Sequence, residues 1–192
     1  MALPVTVLAS GGLDSATCLA YYLQQRMSTQ ALWVSYGQRA ARVEEKAIER
    51  IVAHYQVPLQ KLRVEGVSWP EIGGDLFEFR GRNLTLASLA LNASPPEGGL
   101  IALGVHHGAR FPDCGTAFVE QLDRMLMLLS SGRVRLDCPF LEWGKEEVAS
   151  YAVSLGVPVD LTYSCERGTV PACGECVKCR DRATLTKLST VS

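Results

Sequence analysis

The chain has 192 residues, 47% of them hydrophobic, and its 19 basic and 20 acidic residues leave a net charge of −1. A chain of this length can bury one substantial core, which argues against two large domains and leaves room for a small appendage. The balanced charge argues against a basic surface built for tight, nonspecific nucleic-acid binding and favours a small-molecule substrate.

The patterns of apolar residues and of cysteines indicate in which cellular compartment the protein is expected. The sequence has no run of 18 apolar residues and no basic start followed by an apolar segment. We therefore expect no membrane span and no signal peptide, and a cytoplasmic protein. Seven cysteines are present, and four of them crowd near the C-terminus. An odd number with this clustering favours reduced thiols and metal binding over a secreted disulfide scaffold.

The glycine-rich segment Ser-Gly-Gly-Leu-Asp-Ser at residues 10–15 lies between a predicted strand, residues 4–9, and a helical pattern, residues 16–25. Glycines let the backbone approach a phosphate chain, the following helix points N–H groups at it, and Ser10 and Ser15 add hydroxyl donors. The lysine-containing P-loop pattern and the third glycine of the dinucleotide fingerprint are both missing. The segment predicts an anion-binding turn, with a plain glycine turn as the alternative.

The next elements predict a parallel sheet. Residues 31–34 and 59–64 read as strands, and residues 42–55 between them read as an amphipathic crossover helix. Two such units imply a right-handed, doubly wound α/β sheet whose ligands bind at the carboxyl ends of the strands. Tyr36, Gln38 and Arg39 follow the second strand at that edge.

Residues 65–79 read as a loop at the ligand edge, and Gly81-Arg82-Asn83 opens a helix at residues 84–92. Arg82 is a candidate for pairing with phosphate or carboxylate, and the alternative is a solvent-exposed arginine beside a capping residue. A fourth strand, residues 100–105, ends at His106 and His107. Two adjacent histidines in a strand-end loop could bind metal or substrate. Neighbouring side chains diverge, which argues against joint ligation of one ion, so one of them is a candidate substrate contact.

A fifth strand, residues 134–137, separates two predicted helices, residues 116–130 and 145–155. Asp113 precedes the first helix and is either a substrate contact or its N-terminal cap. The apolar stripe at residues 125–129 of that helix is predicted to be core. Lys145 opens the second helix, where the dipole disfavours a cation. A bound phosphate would relieve that conflict, and a solvated lysine is the alternative.

The cysteine cluster has the spacing C-x7-C-x2-C-x2-C. Four thiolates on short loops can converge on one Zn²⁺ in a closed, structural site. An iron–sulfur cluster and a metal-free group of thiols are the alternatives. We expect a body at residues 1–160, a small zinc knuckle at residues 161–192 with a final helix at residues 180–188, and buried cysteines elsewhere. The ligands are Cys165, Cys173, Cys176 and Cys179.

Six segments occur in one order along the chain: the loop at residues 10–15, Tyr-Gly-Gln-Arg at 36–39, Gly-Arg-Asn at 81–83, Pro-Asp-Cys at 112–114, Leu-Thr-Tyr-Ser-Cys at 161–165 and the cysteine cluster. In this order they resemble the 7-cyano-7-deazaguanine synthase (QueC) family of N-type ATP pyrophosphatases. The resemblance spans nearly the whole chain and implies the adenine nucleotide α-hydrolase-like fold, ATP with Mg²⁺, and structural Zn²⁺. It implies catalytic roles for Ser10, Asp14 and Lys145. It implies nucleotide contacts from Ala9, Ser10, Gly11, Gly12, Leu13, Asp14, Ser15, Val34 and Arg82. It implies substrate contacts from Tyr36, Gln38, Arg39, Asn83, His106, His107 and Asp113.

The family resemblance also implies a reaction. Members activate the carboxylate of 7-carboxy-7-deazaguanine with ATP, add ammonia to form an amide, and dehydrate the amide to a nitrile with a second ATP; they commonly form homodimers. Here residues 106–111 lack the family's Asp and Ser-Gly-Tyr, and Arg80 replaces a usual proline. Both changes resemble synthase-like proteins of bacterial defence, which pass the activated acyl group to an amine of a partner protein. A tRNA sulfurtransferase and a non-enzymatic zinc-knuckle module are further alternatives.

Overall fold

The computed structural model describes residues 3–67, 79–107 and 111–189. In this part of the chain a five-stranded sheet has the order β3-β2-β1-β4-β5, and every pairing is parallel. The predicted doubly wound α/β architecture is confirmed. The strands are β1 (Val5–Leu8), β2 (Thr29–Ser35), β3 (Leu59–Arg63), β4 (Gly99–Leu103) and β5 (Val134–Asp137).

The described residues form six α-helices, which cover both faces of the sheet. They are α1 (Leu13–Gln24), α2 (Ala41–Tyr55), α3 (Arg82–Ala93), α4 (Thr116–Leu129), α5 (Lys145–Ser154) and α6 (Val177–Ser189). Helices α1, α2 and α5 pack on one face, α3 and α4 pack on the other, and α6 packs against α5. None of the helices in the described ranges is long and apolar enough to cross a membrane.

The central strands are apolar along their length because both of their faces are buried. In β2, Trp33 points into the core beneath α1 and α2, whereas Leu32 and Val34 point into the core beneath α3 and α4. The cysteines outside the cluster are buried, as predicted: Cys18 lies in the first core, and Cys114 and Cys138 lie in the second.

The prediction of a continuous core stripe in α4 is wrong. Leu126 is 1% exposed, but Leu128 is 75% and Leu129 is 64% exposed. A helix of 3.6 residues per turn can turn only part of a five-residue apolar run toward the sheet. The buried side chains are Leu122 and Leu126, four residues apart on one face of the helix.

Other boundaries differ by a few residues. Strand β2 begins at Thr29, two residues early, because Thr29 pairs with Val5 of β1. Helix α6 begins at Val177 and so contains Cys179. Of the predicted loop at residues 65–79, residues 68–78 lie outside the described ranges. The division of the chain at residue 160 stays a prediction.

Candidate active site

A cleft of about 270 Å³ lies at the carboxyl ends of β1, β2 and β4. The order of the strands reverses at β1 and β4, and crevices at such reversals are where open α/β sheets bind ligands. Most residues that the sequence analysis proposed as ligand contacts line this cleft. They are Ala9, Ser10, Gly12, Leu13, Asp14, Ser15, Val34, Tyr36, Gln38, Arg39, Arg82, Asn83 and Lys145.

The turn between β1 and α1 presents backbone N–H groups to the cleft. Gly12 is the N-cap of α1 in an extended conformation, and among the described residues no side chain caps that helix. The first N–H groups of a helix have no partner within it and carry a partial positive charge. The Ser15 hydroxyl donates to the Gly12 carbonyl at 3.0 Å and so helps to hold the turn. The turn therefore has the donor set that a phosphate chain requires.

Gly11 is not among the lining residues and serves the packing of the turn. Its φ is +85°, and a Cβ atom there would lie 2.9 Å from both the Ala47 Cβ and the Ile48 nitrogen of α2. Its carbonyl accepts the Tyr163 N–H at 2.8 Å, which joins the C-terminal segment to the turn. Gly11 lets α2 approach the turn, and it connects the turn to the segment before the cysteines.

The turn between β2 and α2 is held by one amide side chain. The Gln38 Oε1 accepts the Tyr36 N–H at 2.9 Å, and its Nε2 donates to the Val34 carbonyl at 3.1 Å and to the Glu44 carboxylate at 2.8 Å. Gln38 therefore shapes the cleft wall. The Tyr36 ring meets the Phe79 ring edge-on, with centroids 5.4 Å apart.

Asn83 and Asp113 bind each other. The Asn83 backbone N–H donates to the Asp113 carboxylate at 3.0 Å, and the Asn83 side-chain amide donates to the Asp113 carbonyl at 2.8 Å. Asp113 is not among the lining residues, and its carboxylate caps the start of α3 instead of α4. Its proposed contact with substrate stays a prediction.

The two histidines diverge, as their adjacency predicts. His106 is buried, with its Nε2 atom 3.8 Å from the Asp14 carboxylate. Burial lowers the pKa of His106, and the positive charges of Lys145 and Lys178 lower it further. The negative charges of Asp14 and Asp181 raise this pKa but do not outweigh the lowering. His107 is exposed and donates its backbone N–H to the Trp143 carbonyl at 2.9 Å. Neither histidine is among the lining residues, so their contacts with substrate stay predictions.

Lys145 stands at the start of α5 and lines the cleft. Its ammonium forms an ion pair with the carboxylate of Asp181 in α6. The anion that sequence reasoning expected beside this lysine is thus partly supplied by the protein itself.

The sequence analysis missed several residues of the cleft wall. A charged run, Lys-Cys-Arg-Asp-Arg at residues 178–182, was the available signal, since it surrounds the last cysteine of the spacing. The missed polar and aromatic lining residues are Trp33, Glu44, Tyr163, Ser164, Glu166, Lys178, Asp181 and Arg182.

The four cysteines of the predicted cluster converge. Their Sγ atoms all lie within 4.8 Å of one another, and those of Cys173 and Cys179 are 3.9 Å apart. Four sulfurs at about 2.3 Å from one ion form a tetrahedron with edges of about 3.8 Å, so the residues fit such an ion. Burial raises the pKa of Cys165, but the Cys173 N–H and neighbouring donors outweigh it and lower that pKa to about 5, which favours the thiolate. Cys165 also lines the cleft.

Comparison with solved structures gives a likeness of fold. A predicted subunit of tRNA methyltransferase from Methanocaldococcus jannaschii is similar with a TM-score of 0.53 at 13% identity, over 79% of this chain and 74% of that one. The U34-tRNA thiolase NcsA from Methanococcus maripaludis, solved with its 4Fe-4S cluster, is similar with a TM-score of 0.51 at 14% identity, over 97% of this chain and 65% of that one.

Sequence comparison is more specific. The 7-cyano-7-deazaguanine synthase of Alcanivorax borkumensis is 33% identical over 92% of this chain and 91% of its own length. That of Aquifex aeolicus is 31% identical over 93% of this chain and 94% of its own. The family model described as queuosine biosynthesis protein QueC matches residues 4–72 and 79–188. With this match along nearly the whole chain, the protein belongs to the QueC family.

Proposed function

We propose that this protein uses ATP to activate the carboxylate of 7-carboxy-7-deazaguanine and then joins the activated acyl group to ammonia. The product is the amide, which a second ATP-dependent step dehydrates to the nitrile, 7-cyano-7-deazaguanine. One observation carries the proposal. In a QueC-family chain, the uncapped start of α1 shares one cleft with Arg39, Arg82 and Lys145, cations from three other parts of the chain.

The chemistry needs what this cleft offers. A carboxylate is a poor electrophile, so its oxygen first attacks the α-phosphorus of ATP, the bond to the β-phosphate breaks, and pyrophosphate leaves. Ammonia then attacks the acyl carbon, and AMP leaves. Backbone N–H groups and cations can stabilise the charge that develops on the phosphates, and Mg²⁺ bound with the nucleotide would neutralise part of that charge. Positioning and electrostatics suffice, without a nucleophilic side chain.

Within this reaction we assign residues to two ends of the cleft. The segment from Ala9 to Ser15 would hold the phosphates together with Arg82 and Lys145, and Val34 would lie beside the adenine. Tyr36, Arg39 and Asn83 line the remaining wall, where the flat heterocycle and its carboxylate would bind. Gln38 contributes by holding the wall in shape.

The cysteine cluster fits structural Zn²⁺, because four thiolates leave no open position for water or substrate. Metal analysis of the purified protein tests zinc against iron. A cytoplasmic homodimer stays the expectation for the whole protein.

A second candidate function shares the activation step. The chain has two histidines after β4 where the family pattern differs, and His106 is buried 3.8 Å from the Asp14 carboxylate. Neither histidine lines the cleft, so this candidate depends on the departure from the family pattern, which resembles proteins that pass the acyl group to a larger amine, such as a lysine or N-terminus of a partner protein.

The direct test measures pyrophosphate release from ATP and Mg²⁺ with 7-carboxy-7-deazaguanine, with and without ammonium, and identifies the products by mass spectrometry. We expect AMP and pyrophosphate only when the carboxylate is present, and the amide or nitrile only with ammonium. The same heterocycle without its carboxyl group is the substrate control. Formation of ADP and phosphate, or release that ignores the carboxylate, would contradict the proposal. Carboxylate-dependent AMP formation with no amide or nitrile from ammonium, but with product on a partner protein, would favour the second candidate.

Two lysine variants sharpen the test. Lys145→Gln removes a cation from the cleft and should lower kcat/KM by about 10²- to 10³-fold. Lys61→Gln removes a cation that pairs with Glu45 and Glu49 at the edge strand β3, so it should stay within about twofold of the wild type. Equal losses in both variants would count against the assignment of Lys145.

A further inference from the structure

Helix α6 brings an acidic side chain to the lysine of the cleft. Asp181 pairs with Lys145 across 36 positions of sequence, and both side chains are about one-third exposed. Both residues line the cleft, so the pair lies at the place where we propose that the phosphates bind. Together with Glu146 and Glu147 in the first turn of α5, Asp181 also offsets the unfavourable position of a cation at the start of that helix.

The position of Asp181 is set from two sides. Two residues before it lies Cys179, a member of the cysteine cluster, and the Arg180 N–H continues the helix by donating to the Cys176 carbonyl at 3.0 Å. One residue after it, Arg182 donates to the Thr162 hydroxyl and to the Val159 carbonyl, both at 2.7 Å. The carboxylate thus stands on a helical turn that is fixed at both ends.

We propose that Asp181 is a positioning residue for Lys145, resting on the proposed function of this cleft. A lysine side chain has four rotatable bonds, and fixing them costs up to about 2 kcal/mol of conformational entropy. Asp181 holds the ammonium at the cleft before the nucleotide arrives, so that less ordering remains for the bound state. Because α6 carries both Cys179 and Asp181, this contact joins the cysteine cluster to the cleft, which Cys165 also lines.

The opposite effect has a distinct signature. If Asp181 instead kept Lys145 away from the phosphates, its removal would free the lysine. ATP would then bind more tightly, or turnover would rise. Positioning predicts a loss, and the loss should depend on the presence of Lys145.

The experiment is a double-mutant cycle with Asp181→Asn, Lys145→Gln and the double variant, measured by pyrophosphate release. We expect Asp181→Asn to lower kcat/KM for ATP by about tenfold, mainly through a higher KM, with kcat within about threefold. The double variant should be no slower than Lys145→Gln within about twofold, and Asp181→Glu should recover part of the loss. The matched control is Glu175→Gln. Glu175 lies between Cys173 and Cys176 in the sequence, and the variant breaks its exposed ion pair with Arg167, so it should keep wild-type kinetics.

Several outcomes would overturn the proposal. They are losses that multiply in the double variant, tighter ATP binding by Asp181→Asn, and loss of metal or of thermal stability in Asp181→Asn relative to Glu175→Gln. If the wild type releases no pyrophosphate, the proposed function fails, but the cycle can still be read by calorimetry with α,β-methylene-ATP. Weaker binding in Asp181→Asn, with no further weakening when Asp181→Asn is added to Lys145→Gln, then supports positioning by Asp181, and additive weakening contradicts it.

Discussion

Gly11 shows how one residue can be required for packing beside a ligand site. Its left-handed backbone is strained for a residue with a Cβ atom, and its contact with α2 leaves no room for one, because that atom would lie 2.9 Å from the Ile48 nitrogen. Gly37, after β2, has a similar φ of +90°, but nothing lies within 4 Å of its would-be Cβ. Substitution of Gly37 would therefore add backbone strain alone, whereas substitution of Gly11 would add both strain and a steric clash.

We expect Gly11→Ala to lower the free energy of unfolding by about 2–5 kcal/mol, the sum of left-handed strain and overpacking. Gly37→Ala should cost only the strain, about 1–2 kcal/mol. Urea unfolding of both variants measures the difference, and equal costs would show that α2 does not press on the turn.

The buried imidazole of His106 predicts a pH dependence of stability. Burial lowers its pKa below the ordinary 6.5, so the unfolded chain takes up a proton more readily than the folded one. Its stabilising contribution is therefore fully present above about pH 6.5 and is lost as the pH falls toward the folded-state pKa. In the wild type the free energy of unfolding should decrease as the pH is lowered from about 7.5 to about 5, and this decrease should be smaller in His106→Gln. His54→Gln, which removes an exposed histidine of α2, should keep the wild-type slope.

Helix α4 buries Leu122 and Leu126 on one face and exposes Leu128 on another, so neighbouring leucines should contribute differently to stability. Leu126→Ala should lower the free energy of unfolding by about 2–5 kcal/mol, because it leaves a cavity beneath the helix. Leu128→Ala, two residues on and 75% exposed, should change it by less than about 0.5 kcal/mol. Similar costs for the two would mean that the exposed residues are covered in solution.

Helix α6 links the cysteine cluster to the cleft, so removal of the metal should weaken the binding of nucleotide. Cys176→Ser should lose metal, loosen α6 and weaken binding of an ATP analogue by about tenfold, or about 1.4 kcal/mol. Cys138→Ala alters a buried cysteine outside the cluster and should keep both metal and affinity. Elemental analysis and calorimetry check the pair, and metal loss with unchanged affinity would contradict the link.

For the molecule as a whole, the parallel order β3-β2-β1-β4-β5 gathers the starts of α1, α3 and α5 at one edge of the sheet. One partly buried contact joins α1 to the edge strand β5: the Tyr22 hydroxyl donates to the Asp137 carboxylate at 2.7 Å. Burial, more than the carboxylate itself, raises the pKa of Tyr22, so the hydroxyl remains the donor.

Tyr22→Phe should lower the free energy of unfolding by about 1–3 kcal/mol, because the Asp137 carboxylate loses its partner in a partly buried place. Tyr151→Phe removes an exposed hydrogen bond from α5 to Gln24 of α1 and should lower the free energy of unfolding by less than about 1 kcal/mol. Urea unfolding compares the two, and a smaller effect at Tyr22 would contradict the buried link.

Features encoded by neighbouring residues could be predicted from the sequence. The strand, glycine turn and helix around residues 10–15, the parallel sheet and the convergence of four cysteines all follow from local order and spacing. Contacts between distant segments could not be predicted, because they depend on how elements cross. Asp181 meets Lys145 across 36 positions, and Asp113 meets Asn83 across 30. The same crossing decides which side of the apolar run at residues 125–129 of α4 is buried, since an uninterrupted apolar run does not encode the direction of the sheet.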